Sequence, residues 1–179
     1  MKPPREKASS PSVTRGPGRF VLFFFIYLAV GSILIGLWPV KDYLVQPWTR
    51  VNVILSAALC QMIGIDVVSA GTNLRVPGMT LNVLDGCNGV FALLIFASAV
   101  LAFPSKLSHR AIGVSLGAAL LLGANLARLV NLVYVARYYP DSLEFFHVFI
   151  WQTLIIVIAF LLFLGWSLTL GGKTQGTAA

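Results

Sequence analysis

The sequence predicts an all-α membrane protein that crosses a bilayer about four times. Its mean hydropathy is +0.85, and 58% of its residues are hydrophobic whereas only 11% are charged. A soluble domain of this length needs more charge to cover its surface. The apolar residues fall into runs close to the roughly 20 residues that span a hydrocarbon core of about 30 Å. Four runs lack Asp, Glu, Lys and Arg: Phe20–Trp38, Cys87–Phe103, Ala111–Ala127 and Val148–Leu170.

The net charge of +7 indicates an orientation in the membrane rather than a nucleic-acid partner. Five of the 13 Lys and Arg residues precede the first run, and basic residues beside a span favour the cytoplasmic side. Residues 1–18 are also rich in Pro, Ser and Gly, which predicts a disordered basic cytoplasmic tail. A cleavable signal peptide is the alternative, although no convincing small-x-small site precedes Trp38. Residues 19–170 are expected to form one membrane-embedded domain, followed by a short tail over residues 171–179.

The segments between the first two runs are expected to lie at the outer face. Trp48–Ile63 is short and carries Arg50, and a crossing there would put either the basic tail or the loop Pro104–Arg110 outside. We therefore expect an amphipathic or re-entrant helix in the outer leaflet. Asp66–Asp85 contains β-branched runs broken by Ala-Gly-Thr-Asn and Pro-Gly, which predicts a small extended hairpin. Unpaired backbone is not tolerated in lipid, so this hairpin should form a cap.

Cys87 is a candidate nucleophile in the segment LDGCNGV. An isolated cysteine usually packs as a small apolar residue, but a helix N-terminus favours the thiolate. The flanking glycines, including Gly89, would let a peptide substrate approach the backbone, and Asn88 is a candidate supporting or substrate-binding residue. Cys60, in ALCQM, has no such setting and is expected to pack. A Cys60–Cys87 disulfide is conceivable, although nothing in the spacing supports it.

Arg128 is a second candidate because it interrupts an apolar helix. It lies 17 residues after Ala111, about 26 Å along the helix and therefore near the outer boundary. A charge in a span costs a few kcal/mol, so such residues face a cavity or a partner. Snorkelling to the headgroups is the alternative interpretation. Asn125, one turn earlier on the same face, predicts a polar pocket between the helices.

His147 is the third candidate. Asp141 and Glu144 have the spacing of a capping box, which predicts a helix that begins near Asp141 and carries His147 about two turns in. Taken alone, His147 is equally consistent with an interfacial histidine among aromatic residues. His109, in the loop PSKLSHR, is expected to be solvated.

Cys87 and His147 are each expected near the outer end of their own helix. Three spans thus bring a thiol, a guanidinium and an imidazole to a similar depth, which suggests acyl transfer. The thiolate would attack a carbonyl, the histidine would move the proton, and the arginine would stabilise the oxyanion or hold the substrate. Two His and two Cys at scattered positions fit no zinc pattern, and there is no phosphate loop or dinucleotide fingerprint. No metal or other cofactor is therefore expected.

The motifs LDGCNGV, ANLARLVNLVYV and EFFHVFIW resemble those of the exosortase/archaeosortase family over roughly Trp48 to Gly165. Members are multi-span membrane enzymes thought to act like sortases on C-terminal sorting signals. The resemblance implies that Cys87, Arg128 and His147 are catalytic. Larger members have further spans upstream, and many have Cys-Ser-Gly where this chain has CNG. The chain looks most like exosortase H, whose implied substrates end in an IPTL-x-x-W-G signal, a hydrophobic span and a basic tail.

This resemblance implies a bacterial inner-membrane cysteine peptidase or transpeptidase with its active site facing the periplasm, its N-terminus in the cytoplasm, and exported proteins as partners. Two other classes stay open. A small transporter or channel subunit would use Arg128 to bind anions, and Cys87 would be dispensable. A non-catalytic assembly factor would use the bundle as a docking surface and would need neither Cys87 nor His147.

Overall fold

The computed structural model describes residues 17–83 and 87–171. Residues 1–16 of the predicted N-terminal tail lie outside the described residues. The last two residues of that tail, 17 and 18, belong to the first helix. The predicted C-terminal tail lies outside the described residues beyond residue 171.

Long apolar helices dominate the structure and confirm the all-α membrane class. Three helical stretches are long and apolar enough to cross a bilayer: Gly18–Gly36, Leu107–Tyr138 and Pro140–Thr169. A fourth apolar helix is shorter, at 13 residues, or about 20 Å, which is less than the hydrocarbon thickness of about 30 Å. The four main helices of the bundle are α1 (Pro17–Gly36), α4 (Val90–Ala102), α5 (Leu107–Tyr138) and α7 (Gln152–Gly171).

Small residues let the bundle helices approach closely. Gly117 of α5 lies against the ring of Phe96 in α4, and Gly113 lies against Trp166 of α7, so that a Cβ atom at either glycine would overlap the ring. Close approach at small residues is the usual way in which membrane helices gain packing energy. The buried core between α4, α5 and α7 consists of Phe96, Val100, Leu121 and Ala159.

The chain between α1 and the sheet is helical. The single turn α2 (Trp38–Val40) and a π-helical turn (Lys41–Val45) lead into α3 (Gln46–Met62). The predicted amphipathic helix is therefore present, but its polar face is turned inward, against α5. Thr49, Asn52 and Ser56 are buried, whereas the apolar residues on the other face are exposed: Val51, Ile54, Leu55 and Leu59.

The predicted extended segment forms three strands, one more than a hairpin requires. They are β1 (Val68–Ala70), β2 (Asn73–Val76) and β3 (Met79–Asn82), paired antiparallel in the order β1-β2-β3. Gly71 and Gly78 have φ values of +65° and +88°, which only glycine adopts readily in such tight turns. The sheet packs on α3 and α5 through one hydrophobic core, which includes Leu74, Val76, Cys60 and Val133.

The length of α5 places this cap at one end of the bundle. Its 32 residues extend about 48 Å, well beyond a hydrocarbon core of about 30 Å. The C-terminal part of α5 packs against α3 and the sheet. The extended strands thus pack on protein at this end of the bundle.

Candidate active site

Cys87 lies in a tight turn that leads into α4. Gly89 at the N-cap of α4 has φ +78°, a left-handed backbone conformation that residues other than glycine rarely adopt. A Cβ atom on Gly89 would lie 3.1 Å from Cγ of Asn125. The absence of a side chain therefore lets this turn approach α5, and the substrate approach expected at Gly89 stays a prediction.

Asn88 fastens the turn to α3. Its Nδ2 donates to Thr49 Oγ1 at 3.0 Å, and its Oδ1 accepts from the backbone N–H of Val90 at 3.0 Å. Its carbonyl oxygen accepts a hydrogen bond from Trp48 Nε1 at 3.1 Å. Because Asn88 is only 1% exposed, these bonds form away from solvent. Asn88 therefore holds the turn that contains Cys87 against α3, and the substrate-binding or supporting role expected of it stays a prediction.

The structure brings the side chains of Cys87, His147 and Arg128 together. Cys87 Sγ lies 2.7 Å from His147 Nε2, and Arg128 Nη2 donates to the same sulfur at 3.7 Å. A nucleophile in hydrogen-bonding contact with a base is the arrangement that proton transfer requires. A fixed positive charge beside the sulfur suits an anion that develops there.

The segment that carries His147 is irregular. A 3₁₀ turn (Pro140–Ser142) and the single turn α6 (Leu143–Phe145) precede a π-helical segment (Phe146–Trp151) that contains His147. The predicted capping box does not form, since no side chain caps the 3₁₀ turn or α6. Trp151 Nε1 donates to Asn131 Oδ1 at 2.7 Å and ties this segment to α5. Such π-helical bulges occur frequently at functional sites.

Arg128 and Asn125 lie on the buried face of α5, with exposed fractions of 2% and 1%. Asn125 Nδ2 donates to Asn52 Oδ1 of α3 at 3.4 Å. Arg128 Nε bonds no atom of the described residues. The burial of Arg128 beside Cys87 is inconsistent with an arginine that snorkels to headgroups, and fits a charge held inside the protein.

A cavity of about 270 Å³ opens beside Cys87 and His147. Cys87, Glu144, His147 and Asn82 contribute its polar lining. The remaining wall is apolar and comes from β2, β3, the segment after β3, α5 and α6: Leu74, Leu81, Val83, Leu129, Leu132, Val133 and Leu143. A mostly apolar cavity with a few convergent polar groups is the usual form of a binding site.

The two free cysteines differ in the surroundings that set the pKa of each thiol. Burial raises the pKa of the Cys87 thiol, while the positive charge of Arg128 opposes that rise. Cys60 is completely buried, and burial alone raises its pKa to about 11. Cys60 therefore packs in the hydrophobic core between the sheet, α3 and α5. Among residues 17–83 and 87–171, no three His, Cys, Asp or Glu side chains group as metal ligands.

Sequence reasoning missed the part that α3 plays at the site. Trp48 Nε1 donates to the backbone carbonyl oxygen of Asn88. Thr49 and Asn52 hold Asn88 and Asn125. The spacing of Thr49, Asn52 and Ser56 along one helical face was the available signal, because buried polar groups need partners.

The fold and the site thus define a class of protein. It is a multi-span α-helical membrane protein with a Cys–His–Arg cluster at one end of its bundle. The family model described as transmembrane exosortase (Exosortase_EpsH) matches residues 13–165. The chain therefore belongs to the transmembrane exosortase family. No curated protein and no solved structure matches the chain.

Proposed function

We propose that the chain is a cysteine peptidase or transpeptidase of the bacterial inner membrane that cleaves C-terminal sorting signals of exported proteins. The observation that carries this proposal is the 2.7 Å contact between Cys87 Sγ and His147 Nε2, with Arg128 Nη2 at 3.7 Å from the same sulfur. The family membership supports a role in sorting-signal processing.

In the proposed reaction, His147 takes the proton from Cys87 while the sulfur attacks the carbonyl carbon of the substrate. The carbonyl oxygen gains the negative charge, and the guanidinium of Arg128 stabilises it or holds the substrate. Collapse of this intermediate breaks the C–N bond, and His147 returns its proton to the leaving amine. The products are a thioester on Cys87 and a released C-terminal fragment. An amine or water then attacks the thioester carbonyl and restores the thiol.

The site is proposed to face the periplasm, with the N-terminus in the cytoplasm. Arg128 follows the first residue of α5 by 21 positions, or about 32 Å, a distance close to the thickness of the hydrocarbon core. The positive residues before α1 favour the cytoplasmic side. The cap formed by α3 and the sheet would then meet exported proteins as they leave the bilayer.

Co-expression with a reporter protein tests the proposal. The reporter ends in the IPTL-x-x-W-G signal, a hydrophobic span and a basic tail, and its mobility reports cleavage. We expect processing by the natural chain and by Cys60→Ala, which serves as the matched cysteine control. Cys87→Ala should be inactive at an equal membrane level, because no thioester forms without the sulfur. Full processing by Cys87→Ala would contradict the nucleophile assignment and favour a transport or docking role.

A further inference from the structure

We propose that the open edge of β3 binds the substrate as an added β-strand, so that the extended peptide lies beside Cys87. This inference rests on the proposed function, since it specifies how the cleaved peptide is held. β3 is the edge of the sheet. An exposed sheet edge accepts an extended peptide through main-chain hydrogen bonds.

The register of the sheet identifies which groups are directed toward that edge. Val83 N donates to Thr72 O at 3.0 Å, and hydrogen-bonded and non-hydrogen-bonded pairs alternate along antiparallel strands. The pairs Asn73–Asn82 and Arg75–Thr80 are therefore non-hydrogen-bonded. Their main-chain N–H and C=O groups on β3 are directed away from β2. Thr80 and Asn82 are both exposed.

This edge leads directly to the candidate nucleophile. Cys87 follows Asn82 by five positions in the chain, and both residues line the cavity of about 270 Å³. His147 lines the same cavity. A strand bonded to Asn82 would thus bring a carbonyl group of the peptide close to the reactive sulfur.

The cavity specifies the chemistry of the peptide. Residues that lie opposite each other in a sheet place their side chains on the same face, so a residue beside Leu81 would be directed toward the face that Leu74 and Leu81 form. That face is the apolar wall of the cavity, opposite Leu129 and Leu132 of α5. The occupant is therefore an extended, uncharged segment of an exported protein, with an apolar side chain next to the cleaved bond.

The opposite edge of the same sheet provides a matched control. No described residue of β1 lines the cavity. In β1, Ser69 pairs with Leu74, and the same alternation directs its main-chain N–H away from β2, toward the other edge. Proline removes an N–H group and is tolerated at sheet edges. Asn82→Pro and Ser69→Pro therefore each remove one main-chain N–H group, at opposite edges of the sheet.

We expect Asn82→Pro to slow reporter processing by roughly three- to ten-fold, as the loss of one hydrogen bond predicts, whereas Ser69→Pro processes at the natural rate. Equal rates for the two variants at equal membrane levels would overturn the proposal.

Crosslinking decides the question if Asn82→Pro fails to fold. A photoreactive p-benzoyl-phenylalanine replaces Thr80 or Ser69 in the Cys87→Ala chain, which is co-expressed with the reporter. Capture of the reporter from position 80 but not from position 69 is the expected result. Capture that is equal at both positions, or absent from position 80, would overturn strand addition. If only strand addition is wrong, the natural chain still processes the reporter. If the proposed function is wrong, the natural chain does not process it, so the two failures are distinguishable.

Discussion

Replacement of Gly89 by alanine perturbs the site without touching a reactive group. The backbone there has φ +78°, and a left-handed conformation costs an L-residue roughly 1–2 kcal/mol. The new Cβ would also lie 3.1 Å from Cγ and 3.3 Å from Cβ of Asn125, so that the turn or Asn125 must shift by a few tenths of an ångström. Asn125 is held by Asn52, and Cys87 lies two residues before Gly89.

We therefore expect Gly89→Ala to lower the free energy of unfolding by about 1–2 kcal/mol and to slow processing by roughly three- to ten-fold. A displacement of about 1 Å at a reacting atom costs on the order of 100-fold, and a shift of a few tenths of an ångström costs correspondingly less. Gly89→Asn separates the two causes, since asparagine tolerates the left-handed backbone but keeps the Cβ contact. The assays are the initial rate of reporter cleavage at equal membrane level and thermal unfolding in detergent.

Gly123→Ala is the matched control for this prediction. Gly123 lies in α5, is exposed, and a Cβ atom there meets no heavy atom within 4 Å. Alanine is favoured over glycine in a helix by up to about 1 kcal/mol, so this variant should process normally and unfold no earlier. Equal behaviour of Gly89→Ala and Gly123→Ala would refute the reasoning from the turn.

Other predictions test the charge, the thiols and the topology. Arg128→Gln should raise the pKa of the Cys87 thiol, because it removes the charge that lowers that pKa. An unchanged pH midpoint of iodoacetamide alkylation would contradict this. Arg128→Lys should lose processing if the planar guanidinium aligns the carbonyl, whereas Arg137→Lys, an exposed site on the same helix, should keep it. Cys60 should resist alkylation at neutral pH, and labelling there would contradict its burial. Reporter fusions at positions 10, 107 and 175 should report cytoplasm and those at 75 and 140 the outside; an external position 107 would invert the bundle.

Composition predicted the membrane class because a bilayer makes simple demands on sequence. An apolar run of sufficient length usually spans a membrane, so the runs that overlap α1, α5 and α7 were recognisable from their residues. The depth argument also selected Cys87, Arg128 and His147, whose side chains the structure brings together. Their catalytic roles stay predictions.

Local pattern did not predict the partners of α3. The residues Thr49, Asn52 and Ser56 suit a polar helix face in water equally well, and only tertiary packing determines that they are buried against α5. The hydrogen bonds of Asn88 to Trp48 and Thr49 join residues about 40 positions apart. No local periodicity reports such distant pairs.

The segment before α7 shows a second limit of local rules. Asp141 and Glu144 have the spacing of a capping box, but the chain forms a 3₁₀ turn there without a side-chain cap. The π-helical segment around His147 has no simple sequence signature. The π-helical segment packs against α5, and Trp151 bonds Asn131 there. A capping rule considers the residues of one helix only and therefore does not include this contact.

Direct detection of the acyl-enzyme tests whether Cys87 is the nucleophile. The chain is purified after co-expression with the reporter, digested under mildly acidic conditions and examined by mass spectrometry for a peptide joined through the Cys87 sulfur. We predict a hydroxylamine-sensitive thioester on Cys87 that is absent from Cys87→Ala and unchanged in Cys60→Ala. Its fragment should end at the cleavage position of the reporter. Efficient cleavage with no adduct on Cys87 in any sample, together with undiminished cleavage by Cys87→Ala, would show that Cys87 is not the nucleophile.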